Sequence, residues 1–229
     1  MKKLVSMFLI ACTFMACATF ASATGTGNTT GPKSAEDIIE AINEEYGVNF
    51  YIPSKSETTT FSADVGVMEE GEQVVTKEVL DSLTPAELAR LEAELRDAAE
   101  YLSEQKKITD ENWQEAIQKS DIVTQSSTMP LPRHMSKNVT GAKITFEGKV
   151  SDSVGYWRWT SLTTTSVRQD SNNEKYRFIC PDRSYTYTLI DTCRTYAVRY
   201  KGTMYTKTFV GWMPADHEQY CEWHAGKPQ

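Results

Sequence analysis

The densest run of side chains able to do chemistry is Asp216-His217-Glu218-Gln219-Tyr220-Cys221-Glu222-Trp223-His224. Wound as a helix, it would bring His217, Cys221 and His224 to one face at i, i+4 and i+7. That is the spacing of a zinc-peptidase helix with cysteine in place of the second histidine, and Glu218 beside it would serve as a base. Such a helix normally lies inside a domain beside a cleft, whereas here only five residues follow His224. A tail held by packing is the plainer expectation. Cys221 with His217 is a weak nucleophile pair, since no third group is evident to orient it. There is no Gly-x-Ser-x-Gly elbow, the remaining histidine, His134, falls in a proline-containing stretch, and no glycine-rich loop precedes a helix as a nucleotide would require. No cofactor is expected.

A second group of residues is suited to binding. Tyr156, Trp157, Trp159, Tyr185, Tyr187, Tyr196, Tyr200 and Tyr205 are concentrated in the C-terminal half. Flat rings stack on sugars or bury against partners, but in a packed β-domain one parity of each strand faces the core. Trp157 and Trp159 share one parity and Tyr156 and Arg158 the other. One pair is therefore expected inside and one outside, and these four residues form the candidate binding surface.

The compartment follows from the N-terminus. Lys2-Lys3, an apolar run from Leu4 to Phe20 and Ala21-Ser22-Ala23 before a polar stretch have the form of a secretory signal, cut after Ala23. Cys12 and Cys17 offer the alternative of a lipid anchor, each with a flawed lipoprotein-type cleavage context. No later apolar run approaches the roughly 18 residues of a spanning helix. Removing the signal leaves 206 of the 229 residues and three cysteines, Cys180, Cys193 and Cys221. In an oxidising compartment one disulfide and one free or intermolecular thiol are expected; Cys180 with Cys193 closes the shortest loop, while Cys180 or Cys193 with Cys221 would tie down the tail.

The elements that must position these residues divide the chain by charge. Thr24–Pro130 carries 22 Asp and Glu against 8 Lys and Arg, whereas Leu131–Gln229 carries 9 against 14. The two halves attract each other, so the basic half has no need of a nucleic acid, and its cations are scattered rather than clustered.

Residues 24–33 read as a flexible Gly/Thr leader, and residues 34–122 as a helical region. Within it, Ser34 caps a short amphipathic helix closed by Gly47. Thr84-Pro85-Ala86-Glu87 opens a long helix striped by Leu88, Leu91, Leu95, Ala98 and Leu102. Shorter helices are predicted over Lys77–Ser82 and Asp110–Ser120. Residues 123–138, with Pro130 and Pro132, read as a linker. Short strands spaced by turns over residues 139–212 predict an antiparallel β-sandwich of immunoglobulin-like size, with Lys201-Gly202 as one of the turns, followed by a tail, 213–229. The fold class is α+β.

Glu44-Glu45-Tyr46-Gly47-Val48-Asn49, Ile52-Pro53, Tyr185-Thr186-Tyr187 and Asp191 to Tyr200 together resemble uncharacterised secreted proteins of Gram-positive bacteria, which have a helical first part and a β second part. The resemblance implies export and the two-part layout, and brings no catalytic residues. The sequence thus points to an exported binding or interaction protein whose partner is a protein or glycan at the cell surface. A secreted hydrolase built on the His/Cys tail is the alternative.

Overall fold

The computed structural model describes residues 33–54, 73–120, 130–153, 156–169 and 173–226. The signal and all of the leader except Lys33 lie outside them. Residues Pro32–Gln229 form one compact unit.

Helix α1 (Ala35–Tyr46) begins with a complete capping box between Ser34 and Asp37 and ends at Gly47 in the left-handed conformation, φ 64°. It buries Ile38, Ile39 and Ile42. After Gly47 the chain runs extended. Asn43 holds it through two side-chain bonds to the Phe50 backbone, each 2.8 Å. A five-residue helix, α2 (Lys77–Asp81), follows.

Helix α3 (Pro85–Gln118) is 34 residues long and opens with the reciprocal Thr84–Glu87 cap and proline in its first turn. Leu91, Leu95, Ala98 and Leu102 are buried along one stripe, with Leu88 packed at its margin. The separate helix expected over Asp110–Ser120 is the continuation of α3. Thr109-Asp110 has the composition of a cap, but Thr109 is buried in the helix and its hydroxyl contacts the Glu218 carbonyl at 3.4 Å. Packing against the strands overrides the local stop signal.

Seven antiparallel strands complete the chain: β1 (Leu131–Val139), β2 (Ala142–Ser153), β3 (Tyr156–Gln169), β4 (Tyr176–Ile179), β5 (Tyr185–Ile190), β6 (Thr195–Thr208) and β7 (Gly211–His224). β1-β2-β3 form one sheet. In the other, β6 is central. It pairs along its whole length with β7 on one edge, and on the opposite edge with β5 and then β4 in tandem. Neither sheet closes into a barrel.

Three sequence expectations change here, each for a physical reason. The stretch expected as a linker holds β1, an edge strand where Pro132 is tolerated because an edge leaves one side of the backbone without a partner. Lys201-Gly202 is no turn but the middle of β6. A Cβ at Gly202 would stand 2.1 Å from the Ile179 carbonyl oxygen, so glycine is what lets β6 pass the junction where β5 gives way to β4. The expected tail is β7, and its odd-numbered residues from Met213 to Trp223 are buried.

The two sheets meet in an aromatic cluster. The Phe146 ring lies 5.2 Å from Trp159, 5.4 Å from Tyr196 and 5.1 Å from Trp223. The Trp159 indole N–H donates to the Trp223 carbonyl at 2.8 Å. The Thr165 and Tyr200 hydroxyls bond at 2.8 Å. The same core includes the α1 and α3 stripes, so the acidic helices and the basic strands share one interior.

Candidate functional site

β7 disperses the zinc constellation. Along a strand, odd and even residues point to opposite faces, so His217 and Cys221 share the inner face and His224 faces outward. His217 and Cys221 are also four residues apart, roughly 13 Å at strand rise. Among the described residues no group of three His, Cys, Asp or Glu gathers as a metal site. Burial pushes the Cys221 thiol up to about 11, against a small downward pull from Lys137, so it is not poised as a thiolate.

The Cys180–Cys193 disulfide is likewise absent: none of Cys180, Cys193 and Cys221 is bonded to another cysteine. The reason is register. Cys180 follows β4 where Ile179 pairs with Thr203, and Cys193 precedes β6 where Ile190 pairs with Thr195. Eight residues of β6 separate those points, on the order of 26 Å against the ~7 Å limit for bridged Cα atoms. The loop that looked shortest in sequence spans the length of the sheet.

His224 takes part in a different arrangement. The Thr195 hydroxyl lies 3.0 Å from Asp191 Oδ2 and 2.8 Å from His224 Nδ1, beside a turn in which Asp191, Thr192 and Cys193 all have left-handed φ of 56–63°. A carboxylate can only accept, so Thr195 donates to Asp191 and receives the His224 Nδ1 proton. The imidazole is therefore not placed as a base toward the hydroxyl, and the group reads as a clamp on the β5–β6 turn.

The four candidate binding residues on β3 separate. Trp159 is core, 1 % exposed. Trp157 is half-buried with the Arg133 guanidinium 4.7 Å over its ring. Tyr156 is 44 % exposed, with Arg194 4.9 Å over its ring. Arg158 is half-buried, and its Nε has no hydrogen-bond partner among the described residues. The parity rule places Trp157 with Trp159, but the strand end emerges from the core before Trp157 is covered. Arg133, Arg158 and Arg194 form no ion pair among the described residues. Arg133 and Arg194 each place their guanidinium carbon over a ring.

A second site is the cavity of about 740 Å³ lined from the Gly47–Asn49 segment, α3, the β4–β5 loop and the facing strands β6 and β7. His217 lies on its wall at 7 % exposure, opposite Gly202 and with its ring edge-on to Phe178 at 5.9 Å. Burial holds its imidazole down at about 4, against an opposing pull from Glu218. Glu218 is bound by Arg199, which also reaches Asp110 at 2.6 Å, and by Lys201 at 3.2 Å. Lys106 donates to the Gly47 carbonyl at 3.0 Å, and Asn49 donates to Asp216 at 2.6 Å. Sequence reading picked out His217 and Glu218 for a zinc site and missed Lys106, Asn49 and Lys201 as parts of the same cavity. These three are brought together only by the long-range pairing of α1, α3 and β6 around β7.

Comparison of the chain with protein-family models, with curated proteins and with solved structures finds no match in any of the three.

Proposed function

We propose that the chain is an exported, non-enzymatic binding module in which the two sheets pack as a sandwich and present the start of β3 to an anionic glycan or wall polymer outside the cell. One observation carries the reading. In a chain of net charge −7, Arg133 over Trp157 and Arg194 over Tyr156 cover the two faces of the start of β3, with Arg158 beside Tyr156, and none of the three forms an ion pair among the described residues. A guanidinium stacked on a ring keeps its in-plane N–H donors free and pre-oriented for carboxylate or phosphate. The signal-like N-terminus and the resemblance to secreted Gram-positive proteins support the address. Mass analysis of secreted material beginning at Thr24 would agree with free release; acylated Cys12 or Cys17 would mean a lipid anchor instead.

Retention of the mature chain on acidic and neutral polysaccharide columns tests the binding. Retention should be confined to the acidic polymer and fall with salt, and the triple variant Arg133→Ala, Arg158→Ala, Arg194→Ala should lose it while keeping the far-UV spectrum of the parent. Equal retention of that variant, or none by the parent, overturns the reading.

A further inference from the structure

We propose that the cavity beside His217 is a binding site for a small zwitterion, a free amino acid or short peptide, separate from the β3 strip. The cavity of about 740 Å³ falls within the usual range for small-molecule sites and has room for a di- or tripeptide. His217 is more than nine-tenths buried, lines the cavity, and has no hydrogen bond among the described residues. Neither ring nitrogen is among the fully buried atoms left without a partner, so the imidazole keeps access to the cavity and is not sealed in the core.

The charges around it select the ligand. Glu218 is neutralised by Arg199 and Lys201. That leaves Lys106, whose recorded partner is a backbone carbonyl, and Asp216, whose recorded partner is the Asn49 amide. One cation and one anion thus line the same cavity without opposite charges of their own among the described residues. A ligand with a carboxylate for Lys106 and an ammonium for Asp216 satisfies both, while His217, on the other face of β7 by strand parity, borders the same cavity and reports on its occupancy. Gly202, paired with His217 on the cavity wall, cannot carry a side chain because the Ile179 backbone occupies that space.

The test follows the His217 imidazole signals of the full mature chain by NMR during titration with alanyl-alanine, with N-acetyl-alanine, with alaninamide and with the doubly capped peptide. Saturable shifts are expected with alanyl-alanine, and roughly five- to tenfold weaker binding when either terminus is capped. Lys106→Met should erase the preference for a free carboxylate, and Asp216→Asn the preference for a free ammonium. Both residues are at the cavity's edge, so these variants should fold even where a His217 variant does not. Absence of a saturable His217 shift, or equal affinity for the doubly capped peptide, overturns the proposal. Loss of polymer retention by the arginine variant bears on the strip alone.

Discussion

The two ends of β6 are built to opposite plans. Toward Thr195 the inner face is filled: Tyr196 lies against Phe146 and Trp159, and Tyr200 reaches Thr165 across to the other sheet. Past Lys201 the same strand has Gly202 where a side chain would be, a buried imidazole opposite, and a cavity alongside. The first end commits its aromatic surface to holding the sheets together. The second leaves volume and unused hydrogen-bonding capacity. Aromatic residues that look like a binding site in sequence are, at the filled end, mostly framework, and the hollow end carries the polar groups with something left to bind.

The comparison breaks most visibly at Trp159. Trp159→Ala should cost about 3–5 kcal/mol, because it removes a fully buried ring touching Phe146 and Tyr196 as well as the bond to the Trp223 carbonyl. Trp157→Ala, two residues away and half-buried, should cost about 1 kcal/mol. Urea unfolding of the two variants measures both; equal losses would mean that the filled end reaches to the strand terminus.

Much of the local structure was legible because its causes are local. Ser34 with Asp37 and Thr84 with Glu87 are caps written in adjacent residues, and the Leu91–Leu102 stripe repeats at helical spacing. What was hidden depends on partners distant in sequence. Whether Asp216–His224 winds or extends is decided by the 14 residue pairings of β7 with β6, which no window around His217 contains. Gly202 looks like a turn until Ile179 is known to lie against it. The candidate cysteine bridge failed for the same reason: short separation along the chain became the length of a sheet. The aromatic strip was half legible, since parity identified Trp159 as the counterpart of an outer pair but could not show where the core stops.

The hollow end should reveal itself through pH. The His217 imidazole titrates at about 4 when folded and near its ordinary 6.5 when unfolded, so between those values the unfolded chain holds more protons. Its contribution is therefore complete above pH 6.5 and is lost as pH falls to 4, on the order of 3 kcal/mol over the window. Asp216 and Glu218 on β7, Lys201 on β6 and Lys106 on α3 line the same cavity. The difference between the parent and His217→Gln isolates the imidazole. Parallel stability curves from pH 7 to 4 would show that His217 is not desolvated as its burial implies.

Gly202→Ala tests whether the hollow end depends on the close passage of β4. Its Cβ would press on the Ile179 backbone, which can yield only by moving β4 or β6, so a loss of about 1–3 kcal/mol is expected. Perturbed amide shifts should extend through Ile179, Cys180 and His217 and leave Phe146 and Trp223 in place. Shifts spread evenly over both ends would mean that the two plans are not mechanically separable.

The smallest effect sharpens the comparison most. α3 contributes to both regions, lining the cavity with Leu102 and Lys106 and placing Ala116 against Ile190 and Ala197 farther along. Thr84→Ala removes only the cap on its first turn, about 1 kcal/mol, and touches neither end directly. If the unit unfolds as a whole, hydrogen exchange of the slowest amides should accelerate by the same factor, about fivefold, at Tyr196 and at His217. If the hollow end opens by itself, the Tyr196 amide should accelerate while the His217 amide, already exchanging through a cheaper local opening, barely changes. Unequal acceleration would make the cavity end a separately opening part of the molecule, one able to admit a ligand without disturbing the aromatic core.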